Sequence, residues 1–94
     1  MVDEITRTED FEKSNQITLF PNPTKDELNI QFDFNTTESV DVYMTDLLGR
    51  NINNWSAFTP SENLSISLKD YTSGIYYFIF QLNENKIVKK VILY

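Results

Sequence analysis

Two apolar runs joined by a short polar turn occupy residues 75–93, which read Ile-Tyr-Tyr-Phe-Ile-Phe-Gln-Leu-Asn-Glu-Asn-Lys-Ile-Val-Lys-Lys-Val-Ile-Leu. β-Branched and aromatic residues fill both runs, and neither repeats its apolar positions at the period of a helix. The polar stretch Asn83–Asn85 is short enough to connect a hairpin. The sequence therefore predicts two antiparallel strands, Ile75–Leu82 and Lys86–Leu93.

Five further strand-like stretches precede this hairpin, and turn-forming residues separate them roughly every eight to twelve residues. They cover Ile17–Phe20, Leu28–Phe34, Val40–Thr45, Arg50–Phe58 and Leu64–Leu68. The second and third alternate apolar with polar residues, as a strand with one buried face does. Thr24–Glu27 has the form of a helix capping box, but the alternation that follows it excludes a helix. This spacing of strands predicts an all-β sandwich or barrel.

The composition excludes several classes of catalytic and metal site. Its 94 residues suffice for one domain, and they include no cysteine and no histidine. Disulfides, zinc fingers, haem ligation by histidine and Ser-His-Asp or Cys-His catalysis are therefore excluded. The 14 acidic and 8 basic residues give a net charge of −6, which disfavours nucleic acid as a partner because phosphate contacts need clustered lysine and arginine. We expect no cofactor.

Residues 1–16 differ from the rest of the chain. They are acidic and carry few large apolar side chains, which predicts a flexible acidic linker ahead of a folded domain at residues 17–94. No apolar run reaches the roughly 18 residues that cross a bilayer, so we expect no membrane insertion. The N-terminus lacks the positive region and apolar core of a secretory signal. We therefore expect either an intracellular protein or a fragment of a longer chain.

Three segments, taken in order, resemble a known family. They are Leu19-Phe20-Pro21-Asn22-Pro23-Thr24, then Val42-Tyr43-Met44-Thr45-Asp46-Leu47-Leu48-Gly49-Arg50, then Gly74-Ile75-Tyr76-Tyr77-Phe78 followed by Lys89-Lys90-Val91-Ile92-Leu93. Residues 17–94 resemble the type A C-terminal sorting domains of the type IX secretion system. That family opens with an aromatic-Pro-Asn-Pro element, carries an Asp-x-x-Gly-Arg turn, and ends on a Gly-x-Tyr strand and a lysine-rich apolar strand.

The resemblance implies a non-catalytic secretion and sorting signal. Such domains direct an upstream cargo protein from the periplasm through the type IX outer-membrane translocon of a Gram-negative bacterium. A cell-surface sortase then cleaves ahead of the domain and anchors the cargo to lipopolysaccharide. By this resemblance the partners are the translocon, the sortase and a covalently joined cargo. The location is secreted or cell surface, and the cleaved bond falls within residues 1–16.

Most motif residues also have an ordinary role in folding. The segment Pro21-Asn22-Pro23 is either a rigid strand exit with an Asx turn or a marker of the tether–domain junction for the export machinery. Asp46 is expected to cap backbone donors in its turn, and Gly49 to take a positive φ. Arg50 is either a solvated strand start or a contact for the translocon, since an exposed guanidinium can pair bidentately with a carboxylate.

The stretch Thr72-Ser73-Gly74-Ile75-Tyr76 is similar to the tyrosine corner of immunoglobulin-like folds. This predicts an immunoglobulin-like antiparallel β-sandwich of about seven strands, in which the Tyr76 hydroxyl bonds nearby backbone. Strand parity then places Tyr76, Phe78, Phe80 and Leu82 in the core, and Ile75, Tyr77, Ile79 and Gln81 outside. Because three of the four outward residues are apolar, neighbouring long side chains cover them, or Ile75, Tyr77 and Ile79 form a docking patch.

Lys86, Lys89 and Lys90 form the only basic cluster of the sequence. Lysine on an edge strand discourages unwanted strand pairing. The resemblance instead implies that the translocon recognises this strand, with Val91-Ile92-Leu93 included. Adjacent Lys89 and Lys90 must point to opposite faces, so at most one of them serves a single partner surface.

The sequence also offers residues for other functions. A carbohydrate-binding or adhesin-type β-sandwich module of a surface protein would use Trp55 and exposed tyrosines as sugar platforms. A Ca²⁺ site at Asp33, Asn35 and Glu38 lacks the glycine and the bidentate spacing of a calcium loop. Paired carboxylates can perform acid–base catalysis, but no motif places such a pair and a sandwich of this size offers little cleft. We therefore predict that the chain is not an enzyme.

Overall fold

The computed structural model describes residues 16–33, 39–58, 63–82 and 85–94, without the side chains of residues 57 and 58. The strands are β1 (Ile17–Phe20), β2 (Glu27–Phe32), β3 (Val40–Asp46), β4 (Asn51–Phe58), β5 (Leu64–Ser67), β6 (Gly74–Leu82) and β7 (Asn85–Leu93). They begin and end within about two residues of the predicted strands. Phe34 and all of the predicted linker except Gln16 lie outside the described residues.

The strands form two antiparallel sheets. One has the order β1-β2-β5, and the other has the order β4-β3-β6-β7. The hairpin predicted over residues 75–93 is confirmed, since β6 and β7 pair without a register shift from Gly74 opposite Leu93 to Leu82 opposite Asn85. The two open sheets correspond to the predicted sandwich rather than to a closed barrel.

The core lies between the two sheets and follows the alternation of each strand. In β6 the side chains of Tyr76, Phe78, Phe80 and Leu82 are buried, as parity predicted, while Ile75, Tyr77, Ile79 and Gln81 are exposed or half-buried. Phe80 meets Phe32 of the other sheet edge-to-face, with ring centroids 5.8 Å apart. The inner face of β6 is therefore the centre of the core.

The segment Pro21-Asn22-Pro23 carries the chain from one sheet to the other. Before it, β1 pairs with β2, whereas after it Thr24 forms a parallel bridge with Leu93 of β7. The Thr24 N–H donates to the Ile92 carbonyl at 2.8 Å, and the Thr24 carbonyl accepts from the Tyr94 N–H at 3.0 Å. Both Phe20-Pro21 and Asn22-Pro23 are cis peptide bonds. Thr24 thus serves in a sheet rather than at a helix cap, which agrees with the rejection of a helix here.

The predicted tyrosine corner is present at the start of β6. The Tyr76 hydroxyl donates a hydrogen bond of 2.6 Å to the Thr72 carbonyl. Gly74 lies between these residues with a φ of 154°, a conformation that residues with a side chain rarely adopt. The corner therefore fixes how the chain enters β6.

Candidate functional site

The three sequence motifs meet at one end of the four-stranded sheet. Asp46, at the end of β3, lies opposite Tyr76 of β6. Gly74 of β6 lies opposite Leu93 of β7, and Thr24 pairs with the same Leu93 from the other side. Segments far apart in the sequence are thereby neighbours in space. We call this region, formed by residues 22–24, 46–50, 74–76 and 90–94, the motif end.

The β3–β4 turn is organised by Asp46. Its Oδ1 atom accepts hydrogen bonds from the backbone N–H groups of Leu48 and Arg50, both at 2.9 Å, and Oδ2 accepts from Arg50 Nε at 2.7 Å. Gly49 has a φ of 87°, so the predicted cap and the predicted positive φ are both confirmed. Arg50 is not simply solvated, because its Nε is paired with Asp46. Its side chain is nevertheless 74% exposed, which leaves the outer guanidinium nitrogens accessible.

The same turn perturbs the titration of Asp46. Desolvation by itself raises the pKa of this carboxyl. Four interactions together outweigh this effect of desolvation: the hydrogen bonds from the backbone and the side chain of Arg50, the hydrogen bond from the Leu48 N–H, and the Arg50 charge. The pKa of Asp46 therefore lies below its usual value. Asp46 is accordingly held in its charged form, which is the form that orders the turn.

Asn22 makes contacts that the sequence analysis did not anticipate. Its Nδ2 donates to the Lys90 carbonyl at 2.8 Å, and its Oδ1 accepts from the Ile92 N–H at 3.0 Å. The expected Asx turn is thus wrong, because the carboxamide bonds β7 instead of its own backbone. A side-chain amide carries one acceptor and one donor group side by side, as a peptide group does, so Asn22 extends the sheet beyond Thr24.

Exposed leucines at the tip of the β3–β4 turn are a second feature that sequence reasoning missed. Leu47 is 60% exposed and Leu48 is 77% exposed. They border a shallow depression of about 390 Å³ that Ile52 and Ile75 also line. The available signal was their position, since two leucines inside a tight turn between strands have no core to enter. The motif end therefore displays apolar side chains next to Arg50.

The predicted docking patch lies on the outer face of the four-stranded sheet. Ile75, Tyr77 and Ile79 are opposite Ile92, Lys90 and Val88 of β7, respectively. Tyr43 of β3 lies opposite Ile79 on the other side. The neighbours cover the patch in part, since Tyr77 and Ile79 are half-buried and Ile75 is exposed. The apolar surface consequently extends beyond β6 to both adjacent strands.

The lysines and apolar residues of β7 are divided between its two faces. Lys86, Lys90 and Ile92 are exposed on the outer face, whereas Val91 and Leu93 are buried in the core. Val91 and Leu93 are therefore not accessible on the surface of the folded domain, and the recognition of this strand by the translocon stays a prediction. Alternation from Ile87 could have revealed this burial, because these three residues share one parity.

Lys89 projects from the inner face of β7. It lies opposite Phe78 and is half-buried, so the opposite orientations predicted for Lys89 and Lys90 are confirmed. Burial lowers the pKa of Lys89, because desolvation penalises the ammonium form. Lys90, not Lys89, is the neighbour of the docking patch.

The alternative functions depend on Trp55 and on a group of possible calcium ligands. Trp55 is half-buried and its ring stacks on Phe78, with centroids 6.3 Å apart, so it is not an open sugar platform. Of the weighed calcium ligands, Asn35 and Glu38 lie outside the described residues. Within the part of the chain that the structure describes, no three acidic side chains gather as a metal site would require. No helix in that part is long and apolar enough to span a membrane.

Comparison with known proteins identifies the family. A protein-family model described as the secretion system C-terminal sorting domain matches residues 18–94. The chain belongs to this family. The resemblance seen in the sequence is thus confirmed, and it makes these residues a sorting signal of the type IX secretion system. A sorting domain of this kind implies secretion through the outer membrane of a Gram-negative bacterium. No curated protein matches the chain.

Two solved structures share the fold of the sorting domain. One is PorZ, a bacterial surface component of the type IX secretion system of Porphyromonas gingivalis, with 15% identity and a TM-score of 0.70 over 88% of this chain. This chain spans 12% of the length of PorZ. The other is a DUF3244 family protein from Bacteroides vulgatus, with 14% identity and a TM-score of 0.68; the match covers 82% of this chain and 83% of that one. The latter has an immunoglobulin-like β-sandwich fold, which confirms the predicted fold class.

Proposed function

We propose that this sorting domain is the export signal of a covalently joined upstream protein, which it directs through the type IX translocon. The domain acts by being recognised and not by catalysis. The observation that carries the proposal is the family match over residues 18–94. The meeting of the three motifs at the motif end supports it, because a recognition signal needs its distinguishing residues on one accessible surface.

The translocon recognises the outer face of the four-stranded sheet and the adjoining part of β7. Ile75, Tyr77 and Ile79 supply apolar contact, and Lys86 and Lys90 supply positive charge beside it. Arg50 adds a guanidinium at the motif end, where Leu47 and Leu48 are exposed. Grouped apolar residues with a charged border are typical of interaction surfaces. The pairing of these strands supports the assignment, since it brings the residues onto one continuous face.

A cell-surface sortase cleaves the chain ahead of the domain, within residues 1–16, and releases or anchors the upstream protein. The sequence supports this position, because the segment is polar and acidic and β1 begins directly after it, at Ile17. Cleavage there would leave the folded sandwich intact. Loops and tethers of such composition are preferred sites of proteolysis.

The experiment is to attach residues 1–94 to the C-terminus of a passive reporter that carries its own inner-membrane export signal. The fusion is produced in a Gram-negative bacterium whose type IX system works, and in an isogenic strain without the translocon. We expect the reporter at the cell surface or in the medium of the first strain and in the periplasm of the second. A reporter that stays periplasmic in both strains would refute the proposal.

The control must preserve the fold. Removal of β7 is unsuitable because Ile87, Val91 and Leu93 belong to the core, so a truncated chain would fail by unfolding. Point substitutions on the outer face avoid this problem.

Mass spectrometry of the exported reporter locates the cleaved bond, and a cut after Ile17 would contradict the proposed position.

A further inference from the structure

The sandwich has four sheet edges, formed by β1, β5, β4 and β7. Proteins protect such edges by making them short, irregular or covered. Strands β1 and β5 have four residues each, and the pairing of β4 with β3 contains two register shifts. By contrast, β7 has nine residues and pairs with β6 without a shift. Among the described strands, β7 therefore has the one long and regular outer edge.

The later half of that edge is already covered. Asn22 bonds the Lys90 carbonyl and the Ile92 N–H, and Thr24 bonds the Ile92 carbonyl and the Tyr94 N–H. Successive residues of a strand direct their backbone N–H and carbonyl groups to alternate edges. Because Ile92 directs its groups away from β6, residues 86, 88 and 90 do so as well. The outward groups left over are the N–H and carbonyl of Lys86 and Val88 and the N–H of Lys90. None of them has a hydrogen-bond partner among the residues whose placement is described.

The side chains along this free edge have a definite pattern. Lys86, Val88 and Lys90 lie on the outer face, and Val88 is 52% exposed between the two lysines. Among the residues that the structure describes, neither lysine has a carboxylate within ion-pair distance. The free edge is roughly 13 Å long, at about 3.3 Å per residue. It offers backbone hydrogen-bonding groups beside the positive charges of Lys86 and Lys90.

A second copy of the chain fits this edge poorly. Antiparallel pairing of two β7 strands about Val88 would place Lys86 of each copy directly opposite Lys90 of the other. Like charges at directly opposite positions destabilise a strand pair. The lysines thus oppose self-pairing, while the same charges favour a strand that carries acidic residues.

We propose that the free edge of β7, from Lys86 to Lys90, accepts an extended acidic strand of a partner protein, which adds to the sheet beside β7. The partner strand has the pattern acidic–x–apolar–x–acidic, so that its acidic side chains meet Lys86 and Lys90 and its apolar side chain meets Val88. Strand addition of this kind derives affinity from backbone hydrogen bonds and specificity from alternate side chains. The proposal rests on the proposed function, since it makes the acidic strand part of the export machinery.

The first test uses Val88→Pro in the complete 94-residue chain. Proline removes the outward N–H, which bonds nothing in the described structure, and edge strands tolerate proline at such positions. Val88→Thr is the matched control because it keeps the N–H. The double variant Lys86→Glu with Lys90→Glu keeps the backbone and reverses the charge. Thermal melts of all variants establish which of them are folded.

The probes are two capped heptapeptides, Thr-Glu-Thr-Val-Thr-Glu-Thr and the same peptide with lysine in place of glutamate. We expect the acidic peptide to shift the amide resonances of Lys86, Val88 and Lys90, and the basic peptide to leave them unchanged. Val88→Pro and the charge-reversed variant should each weaken binding at least about tenfold, which corresponds to about 1.4 kcal/mol. Equal binding of both peptides, or of the acidic peptide to all variants, would overturn the proposal.

Two further outcomes would assign the edge to another occupant and thereby overturn the proposal. Slow hydrogen exchange of the Val88 amide in the free monomer would mean that the chain itself covers the edge. A dimer that Val88→Pro converts to monomer would mean that a second copy does.

The reporter-export assay distinguishes a failure of strand addition from a failure of the sorting function. We expect the reporter fused to folded Val88→Pro to be retained, and the reporter fused to Val88→Thr, which keeps the N–H, to be exported to a clearly greater extent. Export of both would overturn strand addition and leave the sorting function standing. Retention of the original fusion in the strain with a working type IX system would refute the sorting function itself. The peptide titration would then still test whether the edge of β7 binds an acidic strand.

Discussion

The carboxamide of Asn22 donates a 2.8 Å hydrogen bond to the backbone carbonyl of Lys90, which is 68 residues later in the sequence. The same side chain accepts from the Ile92 N–H. A single asparagine therefore ties the start of the folded domain to its last strand. This contact explains, in physical terms, why asparagine stands between the two prolines of the first motif.

The Asn22 contact should contribute measurably to stability. Asn22→Ala removes both hydrogen bonds and is expected to lower the free energy of unfolding by about 1–2 kcal/mol. Asn22→Asp keeps the acceptor for Ile92 but not the donor for Lys90, and should give an intermediate loss. Denaturant titration measures both. Asn54→Ala on β4 is the control, because the Asn54 side chain makes no hydrogen bond within the described structure; an equal loss there would contradict the assignment.

The tyrosine corner gives a second prediction. Tyr76→Phe deletes the hydroxyl that donates to the Thr72 carbonyl and is expected to lower the free energy of unfolding by about 1–2 kcal/mol. Tyr77→Phe is the matched control, since Tyr77 points to the outer face and its hydroxyl has no partner among the described residues. If the two variants unfold at the same denaturant concentration, the corner does not stabilise the fold.

A third prediction concerns the docking patch. Tyr77→Asp introduces a charge between Ile75 and Ile79 and should abolish export of a fused reporter, because a partner would have to bury the carboxylate. The melting temperature should change by only a few degrees, since Tyr77 is half-buried on the outer face. Thr18→Asp, exposed on β1 of the other sheet, is the control and should be exported. A loss of several kcal/mol in Tyr77→Asp would place that residue in the core and refute the patch.

The Asp46 turn predicts a pH dependence. The pKa of Asp46 is lower in the folded chain than its usual value of 3.8, so the unfolded chain binds the proton more readily. The stabilisation is therefore complete above the ordinary pKa and is lost as the pH falls through the lowered one. Asp46→Asn should melt at a lower temperature than the original at pH 7, and this difference should shrink as the pH falls below 3.8.

A substitution of Arg50 separates the stabilisation of the Asp46 carboxylate by the guanidinium from its stabilisation by the backbone donors. Arg50→Met removes the guanidinium but keeps the two backbone donors to Asp46, so its loss at pH 7 should be smaller than that of Asp46→Asn. A melting-temperature difference between Asp46→Asn and the original that stays the same from pH 7 to below 3.8 would show that the carboxylate charge does not stabilise the turn.

Several features of the domain were predictable because they depend on residues close in the sequence. The alternation in β6 placed Phe78 and Phe80 in the core, since side chains of a strand point alternately to its two faces. The Asp46 turn and the tyrosine corner were predictable for the same reason, as their hydrogen bonds join residues at most four positions apart. The family motifs then indicated the sorting function.

Other features depend on which strands become neighbours, and local pattern does not encode this. The partners of Asn22 and the gathering of three motifs at one end follow from the crossing of the chain at Pro21–Pro23 and from the order β4-β3-β6-β7. The sequence by itself determined the strands, their inward faces and their turns, because those follow from short-range geometry. The tertiary structure alone decided that, within the described residues, one half of the β7 edge has hydrogen-bond partners and the other half has none, because that depends on where a segment some seventy residues earlier comes to lie.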